Sequence, residues 1–444
     1  MALAPSTIRS TALAVLSSVI VGAAFAVACA PRIATMKNPA MGAVHEELHG
    51  RLDGVDRTAR IALAGGVARA AVTSTTKWRI DEQGGRQSLV KGSGGEGWRI
   101  EQRGTLLRVS GDGDDATPWR QGPFVARPAT SDGFVQYNGK RYRGELWFTP
   151  TDSGILVVNR VAVEDYLRGV VGLELGTRNA TDRTALEAQA VAARSYSYIR
   201  VPANGATEPA SGWHMLATVT NQVYGGVEAE HPLVNQAIDA TTGLVLRYGG
   251  LIVDAPYFSA CGGRTASPRD AWRDARDEPY LQPVDDVDPA TGRPFCDISP
   301  RNHWTEELSE PQVNDAVRRA LEAQGVQRPQ ATTVRDIEVA ERTASGRVGA
   351  LVFRTDRGEI RIGARDVRNV LRDARGAILS STYFSVDRTV HGGGRLTGLT
   401  LRGNGSGHGV GMCQWGAIGR ARAGQDTRTI LRHYYPGTTL GFAD

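Results

Sequence analysis

A small set of side chains in this sequence stands in settings that suit acid–base or ligand chemistry. Glu174 lies in "VVGLELGT", between Leu173 and Leu175 and inside Gly172 and Gly176. An acid in apolar company keeps its proton to higher pH, because burial disfavours the charged form. That is the property a general acid needs near neutrality. The same window also describes a solvated glutamate at a helix end whose leucines face inward. Gln189 and Arg194 are the polar groups of the run "AQAVAAR", where small neighbours permit close packing around them. Tyr257, Ser259 and Thr265 sit in the glycine-bearing "YFSACGGRT"; tyrosine is a common sugar contact, and equally a core-edge aromatic. The stretch "GHGVGMCQWGAIGRARAG" surrounds His408 with Gly407, Gly409 and Gly411, then presents Gln414 and Trp415 at a helix entrance. Repeated glycine costs folding entropy, so it marks unusual dihedrals or the close approach of a ligand.

Elements must position these groups. "EDYLRGVVG" predicts one short helix ahead of Glu174. "DRTALEAQAVAARSYSYIR" predicts a long one, with Thr184 and Glu187 as a capping box and a composition of high helix propensity. Residues 417–423 predict a helix closed by Gly424. Between 57 and 160, runs such as "RIALA", "WRIDE", "LLRVS" and "GILVVNRV" are punctuated by Gly, Asp and Asn, which predicts strands. Residues 283–294 predict a long loop, and 331–390 strands followed by a helix. The expected fold class is α+β. A β-rich lead-in (57–160), barrel or sandwich, precedes a mixed α/β core in two parts (161–310 and 391–444), with a small α+β subdomain inserted at 311–390.

A chain of 444 residues can bury two or three real cores. Its net charge of +5 is mild, and its basic residues are dispersed, with lysine only at 37, 77, 91 and 140. No basic block or motif of nucleic-acid type is present, so no nucleic-acid partner is expected. No GxGxxG occurs around 403–411 and no GxSxG nucleophile elbow occurs. No CxxC occurs and the four cysteines are widely spaced, so neither a metal nor a cofactor is expected.

The N-terminus reads as an export signal. Arg9 precedes the apolar segment 11–28, and "AVAC" at 26–29 resembles a bacterial lipobox. The expectation is a signal peptide (1–28), a lipidated Cys29 that anchors the protein to a membrane outside the cytoplasm, and a linker (29–56). Ordinary cleavage with secretion, or an uncleaved anchor, are the alternatives. An oxidising compartment permits disulfides. Cys261 and Cys296, in loop-like segments 35 residues apart, form the economical pair. Such a bridge stabilises by about 3–4 kcal/mol in the loop-entropy picture. Cys413 is then left free.

Taken in order, "VEDYLRGVVGLELG", "ALEAQAVAARSYSY", "YFSACGGRTASPRDAW", "PYLQPV" and "GHGVGMCQWGAIGRARAGQDTRTILRHYYPGTTL" resemble the SpoIID/LytB family over about residues 57–440. The resemblance implies action on bacterial peptidoglycan. SpoIID proteins are lytic transglycosylases that cut glycan strands stripped of stem peptides, and LytB proteins enhance cell-wall amidases. It implies that Glu174 is the catalytic acid, at the family's Glu-Met-Pro glutamate, although this chain reads "ELG" there. It implies that Arg194 is a functional position and that Gln189, Tyr257, Ser259, His408, Gln414 and Trp415 line a glycan groove. In that picture the loop glycines let the polysaccharide lie against backbone, and the indole offers a face to a sugar ring.

Overall fold

The computed structural model describes residues 57–443, apart from residues 86, 112–114, 177, 203–208, 273–274, 328 and 392–394. The expected signal segment, Cys29 and the linker lie outside the described residues.

The alternation in 57–160 becomes two sheets. In spatial order the first holds Met215–Leu216, Thr58–Val67, Gly154–Ala162, Glu145–Thr151, Phe124–Pro128, Trp78–Glu82 and Ser88–Gly92. The second holds Lys140–Tyr142, Val135–Tyr137, Arg69–Ser74, Trp98–Arg103, Leu106–Ser110 and Arg120–Gln121. Burial along Arg69–Ser74 alternates with period two, as expected of strands with one covered face. Ile61, Ile80, Ile100, Leu107, Phe124 and Phe148 are fully buried in one apolar cluster drawn from both sheets, which makes the lead-in a sandwich.

The chain leaves Gly154–Ala162 directly into α1 (Val163–Arg168) and α2 (Val171–Leu175). The sequence predicts one helix here. The break falls at Gly169, where a Cβ would come within 2.6 Å of the Tyr224 ring. Next is α3 (Arg183–Arg200), buried on nearly every side from Ala185 to Ser195. Its alanines let α4 (Pro232–Ala240), the strand Leu244–Tyr248 and the C-terminal helices approach it, and its buried charged groups, Glu187 and Arg194, are paired. The predicted capping box does not form. Asp182 is the N-cap residue, and Thr184 lies inside the helix, its hydroxyl donating to the Gln425 carbonyl at 3.0 Å. Glu187 pairs with Arg183 instead, at 2.8 Å.

After α5 (Pro268–Ala271) comes the inserted unit. It has two three-stranded sheets, α6 (Glu310–Ala323) and α7 (Ala364–Val370). Its separate core includes Leu308, Val317, Val334, Phe353, Leu399 and Leu401. The unit therefore reaches beyond 311–390 at both ends. Its outer strands, His303–Ser309 and Arg395–Asn404, pair with each other and close it. The chain then returns through the glycine loop to α8 (Gln414–Arg422) and α9 (Thr427–Tyr434). The short parallel pairing of Tyr257–Phe258 with Met412–Cys413 brings the two glycine-bearing loops together beside α2. Among the described residues no helix is long and apolar enough to cross a membrane.

Candidate active site

Glu174 sits in the last turn of α2, half-buried, and Gly176 with φ +78° turns the chain away. The Val223 backbone N–H donates to Glu174 Oε1 at 2.9 Å. The Gln414 side chain at the start of α8 also hydrogen-bonds the carboxyl group. Burial raises the Glu174 pKa above the ordinary carboxylate value, and these two hydrogen bonds act against it by favouring the charged form. The source of that burial differs from the sequence expectation. Leu173 is 46% exposed and only Leu175 packs inward. The carboxyl is enclosed by the tertiary wall, where Tyr166 and Tyr257 are close enough for its charge to affect their hydroxyls.

Gln222, fully buried, organises that wall. Its Oε1 accepts from the Tyr166 hydroxyl at 3.0 Å and the Ser197 hydroxyl at 3.1 Å. Its Nε2 donates to the Tyr257 hydroxyl at 2.9 Å. On the other side, Gln414 Nε2 approaches Gln189 Oε1 at 3.5 Å. Gln189 is fully buried, and its Nε2 has no partner among the described residues. Glu174, Gln414, Gln189 and Tyr257 are thus brought together.

Other expected contacts occupy different roles. Arg194 is fully buried. Its Nε and Nη2 donate to both Glu164 oxygens at 2.7 and 2.8 Å, and Nη1 donates to the Leu244 carbonyl at 3.0 Å. It locks α3 to α1 and to the neighbouring strand, and no part of it faces a groove. The expected glycan contact is replaced by a positioning role. Ser259 contributes its carbonyl, which accepts from the Trp415 N–H at 3.0 Å. One face of the Trp415 indole carries the Arg178 guanidinium at 4.6 Å, so that face is not free for a sugar. Arg178 also donates to the Leu175 carbonyl at 2.7 Å, which ties α2 to α8.

His408 is a backbone bracket. Its Nδ1 accepts from the Val410 N–H at 3.1 Å, so Nε2 carries the proton and donates to the Tyr257 carbonyl at 3.0 Å. Its ring packs between Phe258 and Trp272, with centroids 5.3 and 4.9 Å away. Burial lowers its pKa to about 4. The surrounding glycines serve this packing. Gly407, Gly409 and Gly411 all have positive φ, and a Cβ on Gly411 would lie 2.0 Å from the Pro256 carbonyl oxygen. A cavity of ≈ 450 Å³ opens at His408 and Trp272, lined also by Asp270, Arg365, Arg368 and Asn369. Glu174 does not line it.

The neutral imidazoles carry a pH prediction. His433 also has a pKa lowered to about 4, by burial and then by Arg420, whose Nη2 donates to its Nε2 at 2.7 Å. Unfolded histidine titrates near 6.5. Between these values the unfolded chain binds the extra protons, so stability present above pH 6.5 is lost as pH falls toward 4. His303, raised by Asp297, works with the opposite sign. The denaturant midpoint should fall from pH 7 to pH 5, and more steeply in H303A. A midpoint that holds or rises in H303A would contradict the neutral assignment.

The expected Cys261–Cys296 disulfide is absent. The sulfurs lie 3.5 Å apart as free, buried cysteines. Cys413 is not left aside either; its Sγ accepts from the Cys261 N–H at 3.1 Å. Sequence reading also missed Val223, Gln222 and Arg178. Val223 acts through backbone and has no side-chain signal. Gln222 in "NQVYGG" and Arg178 after "ELGT" are polar residues beside glycine turns, a signal too general to select them.

Comparison with known proteins places this geometry in a family. Residues 151–248, which hold Glu174, α3 and Gln222, match the SpoIID family, described as Stage II sporulation protein. Residues 295–411, essentially the inserted unit, match a domain of unknown function. An uncharacterized protein of Brachyspira hyodysenteriae is 34% identical over 313 residues, covering 70% of this chain and 75% of the relative. Stage II sporulation protein D of Bacillus amyloliquefaciens is 30% identical over 298 residues, covering 65% of this chain and 76% of the relative. The amidase enhancer of Bacillus subtilis is 30% identical over 306 residues, covering 62% of this chain but 40% of that protein. The chain belongs to the SpoIID family, and its function is related to the cell wall.

Proposed function

We propose that this protein is a peptidoglycan lytic transglycosylase that cleaves glycan strands free of stem peptides, with Glu174 as its general acid and base. The observation that carries the reading is a carboxyl group whose pKa is raised by burial, held between the Val223 N–H and the Gln414 amide. Glu174 protonates the glycosidic oxygen as that bond breaks. As a carboxylate it then removes the proton from the sugar's own 6-hydroxyl. That oxygen attacks the anomeric carbon and closes an anhydro-muramic end, returning the proton to Glu174. One carboxyl group suffices. Hydrolases of the inverting and retaining types use two. The weak candidates for a second, Asp165 and Glu187, are already paired with arginines. Gln414 and Tyr257 are the groups that would hold the strand beside the acid, with the fully buried Gln189 behind Gln414. The test is release of new chain ends from purified peptide-free strands; intact strands after long incubation would contradict the reading.

The name of the amidase enhancer supports a second reading, in which the groove binds glycan and stimulates a cell-wall amidase. It predicts faster amidase turnover on intact sacculi without new glycan ends. In both readings the protein acts outside the cytoplasm, tethered through lipidated Cys29. A mature N-terminal peptide that begins elsewhere and is unmodified would overturn the lipid anchor and leave export standing.

A further inference from the structure

We propose that Cys261, Cys296, Cys413 and Asp286 form a structural zinc site at the base of α8. No two of them are near neighbours in sequence. In the fold their three sulfurs and a carboxylate oxygen lie within 4.8 Å of one another, all buried. Cys261 Sγ is 3.5 Å from Cys296 Sγ and 3.2 Å from Asp286 Oδ2. Ligands bound tetrahedrally at about 2.3 Å (sulfur) and 2.1 Å (oxygen) lie about 3.5–3.8 Å apart, so small movements suffice to close around one ion.

The surroundings suit thiolates. Cys413 Sγ accepts two backbone N–H groups, from Cys261 at 3.1 Å and Gly416 at 3.2 Å. Cys261 Sγ accepts the Gly263 N–H at 3.3 Å. Outer groups fix the carboxylate, as is usual around metal ligands. Asp286 Oδ1 accepts from Arg420 Nε at 2.8 Å, and Oδ2 from the Tyr434 hydroxyl at 2.8 Å. Gly416 allows the acid in, since a Cβ there would lie 2.1 Å from Asp286 Oδ2. Charge balances as well. Three thiolates and a carboxylate carry four negative charges, matched by a divalent cation and the buried guanidiniums of Arg420 and Arg347. Arg347 donates to the Cys261 carbonyl at 2.8 Å.

Four buried protein ligands leave no open position, which is the pattern of structural rather than catalytic zinc. The ion would staple the Cys261 loop and the Asp286–Cys296 loop to Cys413, the N-cap residue of α8. The next residue is Gln414, which meets Glu174, so the site would fix the acid's partner from behind. This goes beyond the proposed function and does not depend on it.

The test uses the purified full-length protein and zinc or cobalt(II) alone. The expected result is about one zinc per chain, with Cys261, Cys296 and Cys413 unreactive toward thiol reagents until a chelator is added under denaturing conditions. Cobalt(II) should give the intense absorption of tetrahedral thiolate coordination. C413S, which could still form a Cys261–Cys296 disulfide, should bind zinc at least ~100-fold more weakly, the upper end of what loss of even an outer partner costs. A metal-free protein with a Cys261–Cys296 disulfide, three freely reactive thiols, or zinc bound equally well by C413S would each overturn the proposal. Should C413S fail to fold, the wild-type cobalt spectrum decides alone.

Discussion

Glycan cleavage should fall by at least ~100-fold when Glu174 is replaced with Gln, the scale of general acid–base catalysis. Gln keeps the shape, and its carbonyl oxygen can still accept from the Val223 N–H, which donates to Glu174 at 2.9 Å. Its partner Gln414 can rotate its amide to suit. Folding and strand binding should therefore survive, with the melting temperature nearly unchanged. The pH profile adds a second signature. In the proposed mechanism the protonated carboxyl is the active acid, so activity should be lost as pH rises through the Glu174 pKa. Burial raises that pKa above the reference of 4.5, and the basic limb should lie correspondingly higher. For stability the sign is the same: the folded state holds this proton longer than the unfolded chain, so its contribution is present at low pH and lost as pH rises. His408 cannot supply the basic limb near neutrality, because it stays neutral down to about 4. Cleavage at the wild-type rate by the Gln variant would exclude Glu174 and leave the amidase-enhancing reading.

Replacing Arg194 with Ala should destabilise the protein by about 3–5 kcal/mol, because it leaves a charged partner without compensation in the interior. The guanidinium is fully buried and holds both oxygens of Glu164, whose side chain is 19% exposed. Glu164 also accepts the Gly243 N–H at 3.2 Å, so losing the arginine loosens α1, α3 and the start of the next strand together. Urea unfolding measures the effect. The double variant E164Q/R194M should recover part of the loss, since neither remaining group is charged. A stable R194A protein with weakened glycan binding would return Arg194 to the contact role that its sequence position suggests.

These two residues show what a local pattern can and cannot carry. The glycine and leucine neighbours of Glu174 fit a buried acid and a solvated helix-end glutamate equally; Leu173 points to solvent, and the enclosure comes from Tyr166 and from Val223 and Tyr257 further along the chain. The long helix was legible from its alanines. Its cap was misread because Asp182, Thr184 and Glu187 all suit a helix start, and tertiary partners chose among them. Asp182 accepts from Arg422 at 2.7 Å, and the Thr184 hydroxyl turns to Gln425. The glycines around His408 were conspicuous, but their cause is packing against Pro256, Phe258 and Arg347. The cysteines were read as a pair plus a remainder because spacing alone cannot show that Cys413 returns beside Cys261 through the parallel pairing at Phe258. The boundaries of the inserted unit were drawn too tightly for the same reason, since Leu308 and Leu399 face each other only once the strands pair.

The most direct test of the central claim is the mass of the new glycan ends formed in water enriched in heavy oxygen. Attack by the sugar's own 6-hydroxyl predicts anhydro-ended products, one water lighter than hydrolysed strands, with no heavy oxygen at the new end. Formation of these products should drop with the E174Q variant. Reducing ends carrying heavy oxygen would show that water is the nucleophile and would contradict the one-carboxyl mechanism.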